Sequence, residues 1–177
     1  IFPISRQLHK ENDTIARLHY LEIIELKSLI SVKLNYALEQ KIEVSLEITE
    51  KIDQIGMKCV DLIRILGILL DNAIEACQES AQPYFSFSII KTDEGVIFLL
   101  KNTYVKQKID YSKIGTIGVS SKGERRGIGL YNVKSLINTY DNVIMDTEYG
   151  EGYFTQVLEI YDSKPESAEQ PQCSSIK

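Results

Sequence analysis

Between Lys58 and Ser80 the chain carries Val60, Leu62, Ile63, Ile65, Leu66, Ile68, Leu69, Ala73, Ile74 and Ala76, which on a helical wheel cover almost the whole circumference. A helix of that kind is stable in water only where other elements enclose it on most sides. Its densest apolar run, Leu62 to Leu70, contains Arg64 and lies between Asp61 and Asp71, so it cannot span a bilayer. The stretch therefore predicts a buried core helix, and the polar residues that interrupt it, Asp71, Asn72 and Glu75, each need a reason to be there.

The elements that enclose it can be read from changes of period. From about Asn12 to Gln40 the pattern is helical, with Leu26, Ile30, Leu34 and Ala37 on one stripe, and the register slips near Tyr20 to Glu22, which predicts two helices meeting there. Ile42, Val44, Leu46 and Ile48 then alternate strictly with polar residues, the period of a half-buried strand. Tyr84 to Lys91 and Val96 to Asn102 read as an antiparallel hairpin turned at Thr92-Asp-Glu-Gly95. A polar, glycine-bearing segment runs to about Arg126, followed by a helix from Ile128 to Tyr140 and by strands Asn142 to Glu148 and Tyr153 to Tyr161 around Tyr149-Gly-Glu-Gly152. These are strands with helices on one face. Beyond Asp162 two of the four prolines stand among Ser, Glu and Gln with almost nothing apolar, which predicts a disordered tail.

Composition excludes several classes of function. At 177 residues, 44% hydrophobic and 25% charged, the chain has the make-up of an ordinary globular domain with a short appendage. The formal charge of -5 offers no broad basic surface for nucleic acid, and the ten tyrosines lack the basic interleaving of a base-stacking platform. Cys59, Cys77 and Cys173 are odd in number and have neither CxxC nor His-paired spacing, so no disulfide framework or zinc site is expected and a reducing compartment fits. The chain begins at Ile1 without an initiator Met or a signal segment, so it reads as a piece of something longer, with any membrane anchor upstream.

Two constellations could carry chemistry. Asn72 and Glu75, three residues apart, share one face of the core helix, and an amide carbonyl beside a carboxylate is the hard-oxygen pair that suits Mg²⁺. The plain alternative is a pair of polar residues at a helix edge. Five of the ten glycines fall between Gly115 and Gly129, ending in Gly123-Glu-Arg-Arg-Gly-Ile-Gly-Leu130 at the start of a helix. Backbone N–H groups there could close on an anion with Lys122, Arg125 or Arg126 as added cations, or the segment is simply a mobile glycine loop. It is neither a Walker P-loop, lacking G-x-x-x-x-G-K-[ST], nor a Rossmann turn.

Taken in order, Asp71-Asn72 with Glu75, the strand ending in Asn102, the glycine segment and Gly127-Ile-Gly-Leu130 resemble the GHKL ATPase superfamily over about Leu18 to Ile160. Asp61-Leu-Ile-Arg-Ile-Leu-Gly-Ile-Leu-Leu-Asp-Asn-Ala-Ile-Glu-Ala76 and Ser120-Ser-Lys-Gly-Glu-Arg-Arg-Gly-Ile-Gly-Leu-Tyr-Asn-Val133 are similar to the asparagine box and second glycine box of sensor histidine kinases of the Agr/Com type, receptors of peptide pheromones. The resemblance implies an α+β fold, a two-layer α/β sandwich whose mixed, mostly antiparallel sheet is covered by helices on one face, with ATP between the asparagine-box helix and a lid. Asn72 would bind Mg²⁺ with Glu75 in support; Lys122, Gly123 and Arg126 and the backbones of Gly127, Gly129 and Leu130 would close over the phosphates. Asn102 stands where most relatives carry an adenine-reading aspartate, and the Asp-x-Gly-x-Gly run that normally follows is absent.

Ile68, one turn before Asn72, occupies the position where ATP-hydrolysing relatives place a glutamate base. Isoleucine cannot activate water, which argues for phosphoryl transfer to a protein acceptor over a hydrolytic motor. Neither His9 nor His19 is followed by the acidic residue typical of acceptor histidines, so both read as structural or surface residues. The resemblance then implies that residues 1–21 end a dimerisation hairpin, 22–162 form the catalytic ATP-binding domain and 163–177 a tail, with the acceptor histidine upstream. The expected partners are ATP, the upstream helices of a full-length homodimer and a response regulator, in the cytoplasmic part of a bacterial plasma-membrane receptor; the fragment alone would be a monomer or weak dimer. A GHKL serine kinase of the anti-sigma class and a nucleotide-free scaffold are the alternatives.

Overall fold

In a computed structural model the described residues are 16–105, 128–150 and 152–162. Lys122, Gly123, Arg125, Arg126 and Gly127, together with His9, Cys173 and the tail, lie outside them. Three helices, α1 (Ile24–Glu39), α2 (Cys59–Gln78) and α3 (Ile128–Ile137), accompany five strands, β1 (Glu43–Ile48), β2 (Tyr84–Thr92), β3 (Gly95–Thr103), β4 (Val143–Gly150) and β5 (Tyr153–Tyr161). The strands form one sheet in the order β1-β2-β3-β5-β4, with β1 parallel to β2 and every other pair antiparallel. The parallel pair is joined through α2, the long crossover that parallel neighbours require.

The alternation of side chains decides which face is covered. Val44, Leu46 and Ile48 of β1, Phe85, Phe87 and Ile89 of β2, and Phe98 and Leu100 of β3 are buried on one face with more exposed residues between them. α2 lies over that face, packing on β3 and β2, with α1 and α3 on either side of it. Leu62, Ile65, Leu66, Leu69, Leu70, Ala73, Ile74 and Cys77 of α2 join the strand residues in a single core. This is the mixed sheet with helices on one face that the sequence predicts. No helix among the described residues is long and apolar enough to cross a membrane.

The slip near Tyr20 is a real break. A 3₁₀ turn at Leu18–Tyr20 ends the first segment, and Leu21 forms a parallel bridge to Ile52, with Glu22 N–H on Ile52 O and Ile52 N–H on Tyr20 O, both at 2.8 Å. Leu18 and Leu21 belong to the same core as α1, so packing is continuous through residue 21.

The helix read from Ile128 to Tyr140 is helical only to Ile137. Asn138 and Thr139, poor helix formers, close it in a turn whose last step is Tyr140 N–H to Ile137 O at 2.9 Å. Tyr140 then donates its hydroxyl to Asp61 at 2.5 Å, tying the end of α3 to the start of α2. Asp61 is thus engaged by Tyr140, and Arg64 is exposed.

Burial first and the Asp61 hydrogen bond second raise the Tyr140 pKa above its ordinary value. A raised folded-state pKa means that this contribution is present below the unfolded value and is lost as pH rises through the folded one. Tyr140→Phe is expected to destabilise by about 1 kcal/mol near neutrality, and denaturant titrations should show the gap to wild type closing above about pH 10. A gap that stays constant there would assign the effect to packing of the ring.

Candidate functional site

Asn72 and Ile68 are one turn apart on α2 and so lie on the same face of the helix. Against that face sits the first turn of α3: a Cβ placed on Gly129 would lie 3.2 Å from Ile68 Cγ2, tighter than ordinary van der Waals contact. Glycine at 129 therefore lets the N-terminus of α3 approach α2 one turn before Asn72. The first-turn N–H groups, which have no partner within the helix itself, and the positive dipole end of that terminus are thereby held beside the face that carries the asparagine. Leu130, the next residue, is half-buried and packs against the core.

The polar residues of α2 divide into different roles. Asp71 is exposed and accepts an ion pair from Lys33 of α1 at 2.5 Å, which turns its charge away from the Asn72 face. Glu75 is also exposed. Asn72 is half-buried, and its carboxamide makes no hydrogen bond among the described residues. It is an amide on a rigid element with its hydrogen-bonding capacity left open among the described residues. Among the described residues no group of three or more His, Cys, Asp or Glu gathers to hold a metal ion. A cation beside Asn72 would thus complete its shell with phosphates and water, as Mg²⁺ does and a fully protein-caged ion does not. The residues present fit the magnesium nucleotide that the sequence implies.

Asn102 stands near the end of β3 with 1% of its surface exposed, on the helix-covered face with Phe98 and Leu100. Its Nδ2 donates one N–H to Thr103 O at 2.9 Å, which holds the amide in place and leaves Oδ1 and the second N–H to be offered. The sequence reading missed what holds this end of the strand. Cys77 of α2 donates its thiol to Tyr84 O at 3.1 Å and lies 3.8 Å from Thr103 Oγ1, while Tyr84 N–H donates to the same Oγ1 at 3.0 Å. The thiol pKa is raised, chiefly by burial and against those hydrogen bonds, so Cys77 is a neutral tie between α2 and β3. Gln156 was also missed, although its place in the apolar series Gln156, Leu158, Ile160 on β5 was a readable signal.

The structure thus brings Gly129 against Ile68, one turn before Asn72 on α2, packs Leu130 on the core, and sets Asn102 in the sheet beneath the helical layer; Lys122, Gly123, Arg126 and Gly127 lie outside the described residues. The profile of the GHKL domain matches residues 57–161, from the approach to α2 to the end of β5. This chain belongs to the GHKL family.

The sensor protein CitS of Bacillus subtilis (strain 168) is 30% identical over an alignment 126 residues long that covers 67% of this chain and 22% of CitS. The chain therefore spans about a fifth of the length of that curated relative. Among solved structures, the nucleotide-free catalytic domain of histidine kinase ThkA superimposes with a TM-score of 0.66 at 16% identity, covering 78% of this chain and 90% of that one. ThkA in complex with the response regulator TrrA gives 0.62 at 14% identity over 78% and 40%. Full-length ShkA in complex with AMPPNP gives 0.58 at 17% identity, over 80% and 30%. The fold of this GHKL domain is that of a histidine kinase catalytic domain.

One consequence of the packing can be tested without nucleotide. Gly129→Val would drive its added methyl groups into Ile68, and overpacking of this kind costs about 1–3 kcal/mol. Thermal denaturation should register that loss, and Ile68→Ala in the same molecule should recover part of it. Failure of the second change to compensate would show that α3 does not rest on α2 through this contact.

Proposed function

We propose that this domain binds Mg-ATP and donates the γ-phosphate to a histidine on an upstream dimerisation helix, for transfer onward to a response regulator. The open carboxamide of Asn72, on the α2 face where Gly129 admits the first turn of α3, carries the reading. Membership of the GHKL family, the 30% identity with a sensor protein and the shared fold with ThkA and ShkA support it.

When bound, Mg-ATP supplies the activated phosphoryl group and the cation that offsets its charge. The chain's own part is to position it. Asn72 offers its carbonyl oxygen to the cation; the first turn of α3 offers N–H groups to phosphate oxygens; Lys122, Gly123, Arg126 and Gly127 close over the same group as the lid. Asn102 accepts a hydrogen bond from the base through Oδ1. Ile68, packed beside Gly129, can take no proton from water, so transfer is favoured over hydrolysis. Residues 1–21 end the dimerisation hairpin in this reading. The likeness of the runs 61–76 and 120–133 to the boxes of peptide-pheromone receptors supports a sensor of that class, with this domain on the cytoplasmic side of the membrane.

Titration of the chain with ATP, with and without Mg²⁺, tests the binding step: saturable binding strengthened by Mg²⁺ is expected, and a folded chain that binds neither form would leave the scaffold reading. In the full-length protein, label taken from the γ-phosphate of ATP should be stable to alkali and lost in acid, the behaviour of phosphohistidine. An acid-stable label would favour the serine-kinase reading.

A further inference from the structure

Three polar residues are buried in the described part of the molecule: Asn102, Thr103 and Gln156. Asn102 and Thr103 are engaged, the first through Thr103 O and the second through both backbone groups of Tyr84. Gln156 is different. It is 2% exposed, yet its carboxamide makes no hydrogen bond among the described residues. No side-chain nitrogen or oxygen that is itself fully enclosed lacks a partner, so the stem of Gln156 is packed while its amide tip still reaches open space. An unpaired amide at a buried strand position is costly and is kept where something else completes it.

The register shows what it is aimed beside. Gln156 pairs with Leu100 of β3 and with Thr147 of β4, and Asn102 pairs with Phe154, so Gln156 and Asn102 are one diagonal step apart on the same helix-covered face. Diagonal neighbours across an antiparallel pair have Cα atoms about 7–8 Å apart, within joint reach of one flat ring for side chains of this length. Val143 is buried and Met145 half-buried on that face of β4, whereas Thr147 is exposed, so the cover over the sheet thins beside Gln156.

We infer that Gln156 is a second base-reading residue of the nucleotide site, hydrogen-bonding the Watson–Crick edge of the purine alongside Asn102; this rests on the nucleotide-binding reading above. The two amides differ in freedom. Asn102 is pinned by Thr103 O, and when its Oδ1 is turned to the base it matches the exocyclic amino group of adenine and opposes the carbonyl of guanine. Gln156 has no such tether and can turn Nε2–H toward adenine N1 or Oε1 toward guanine N1–H. Gln156 therefore strengthens binding of both purines, while Asn102 alone favours adenine.

The test measures the affinity of the whole chain for Mg-ATP, Mg-GTP and Mg-tripolyphosphate in wild type, Gln156→Leu and Gln156→Glu. Leucine should weaken both nucleotides about tenfold, leave tripolyphosphate unchanged and keep or raise the melting temperature of the ligand-free protein, since an unpaired buried amide has been removed. Glutamate, which in its ionised form is an acceptor only, should at a pH that ionises it weaken ATP more than GTP and narrow their ratio. If leucine leaves ATP affinity intact, weakens tripolyphosphate equally, or lowers the melting temperature as loss of a structural contact would, Gln156 does not read the base. A wild type that binds none of the three ligands overturns the nucleotide site itself, a result distinct from wild-type binding that Gln156→Leu does not change.

Discussion

Replacement of Asn72 by alanine is expected to remove the strengthening of ATP binding by Mg²⁺, a loss of about 10- to 100-fold in affinity, the range seen when even the outer partners of a metal site are removed. Binding without the metal should change little, because the first turn of α3 and the base contacts are untouched. The fold should also survive. The Asn72 side chain is half-buried and makes no hydrogen bond among the described residues, so truncation strands no partner, and alanine is the better helix former by up to about 0.7 kcal/mol. An unchanged or slightly raised melting temperature together with lost metal dependence separates a ligand from a structural residue. Asn72→Asp keeps an oxygen at the same place and should retain the Mg²⁺ effect. If the alanine variant responds to Mg²⁺ as wild type does, Asn72 is a polar residue at a helix edge and the cation is held elsewhere.

Much of this arrangement could be read from the chain because its local periods are unambiguous. The apolar run of α2 comes within two residues of its observed span at both ends, and the hairpin of β2 and β3 turns where Gly95 was read to turn it. Gly95 adopts φ +155°, and a Cβ there would meet Ile160 O at 2.0 Å, so the turn and the pairing with β5 both require glycine. The break at Tyr20–Leu21 was legible as a slip of register, since a stripe that changes face cannot stay on one straight helix. Order within the sheet was not legible. That β5 inserts between β3 and β4, and that β1 runs parallel to β2, depends on pairings between residues far apart in sequence that no local period encodes.

The same limit applies to the site. Asn72 announced itself as a polar residue on an otherwise apolar helix, and the structure adds its open carboxamide. The ion pair of Lys33 with Asp71 and the hydrogen bond of Tyr140 with Asp61 join residues 38 and 79 positions apart and could not be foreseen from spacing. These two long-range ties matter for the site because they hold α1 and α3 on either side of α2. Lys33 keeps the Asp71 carboxylate, adjacent in sequence to Asn72, turned to α1 and away from the phosphates that Asn72 is proposed to meet through Mg²⁺.

The largest expected effect on stability comes from the sheet under α2. Phe98 is fully buried on β3, paired with Ile89 of β2 and Leu158 of β5, which are also fully buried, and its ring lies 6.2 Å from that of Phe87 at an interplanar angle of 19°. Phe87 in turn lies 6.4 Å from Phe85, so three rings form a row beneath the buried helix. Phe98→Ala removes the end ring and leaves a void that the strands on either side cannot fill, because hydrogen bonding to both neighbours holds β3 in place. Truncations of this kind cost about 3–5 kcal/mol, a large share of the roughly 5–15 kcal/mol that separates folded from unfolded chains. For a chain of this size the melting temperature should fall by about 6–20 °C. Phe98→Leu, which keeps most of the volume, should lose far less. Because Phe98 is fully enclosed in the core and exposes no surface to a ligand, Mg-ATP affinity at a temperature where the variant remains folded should match wild type. A fall of only a degree or two would mean that the row of rings is not the centre of the core, while a well-folded variant with impaired nucleotide binding would mean that the sheet sets the site geometry more tightly than the α2–α3 contact does.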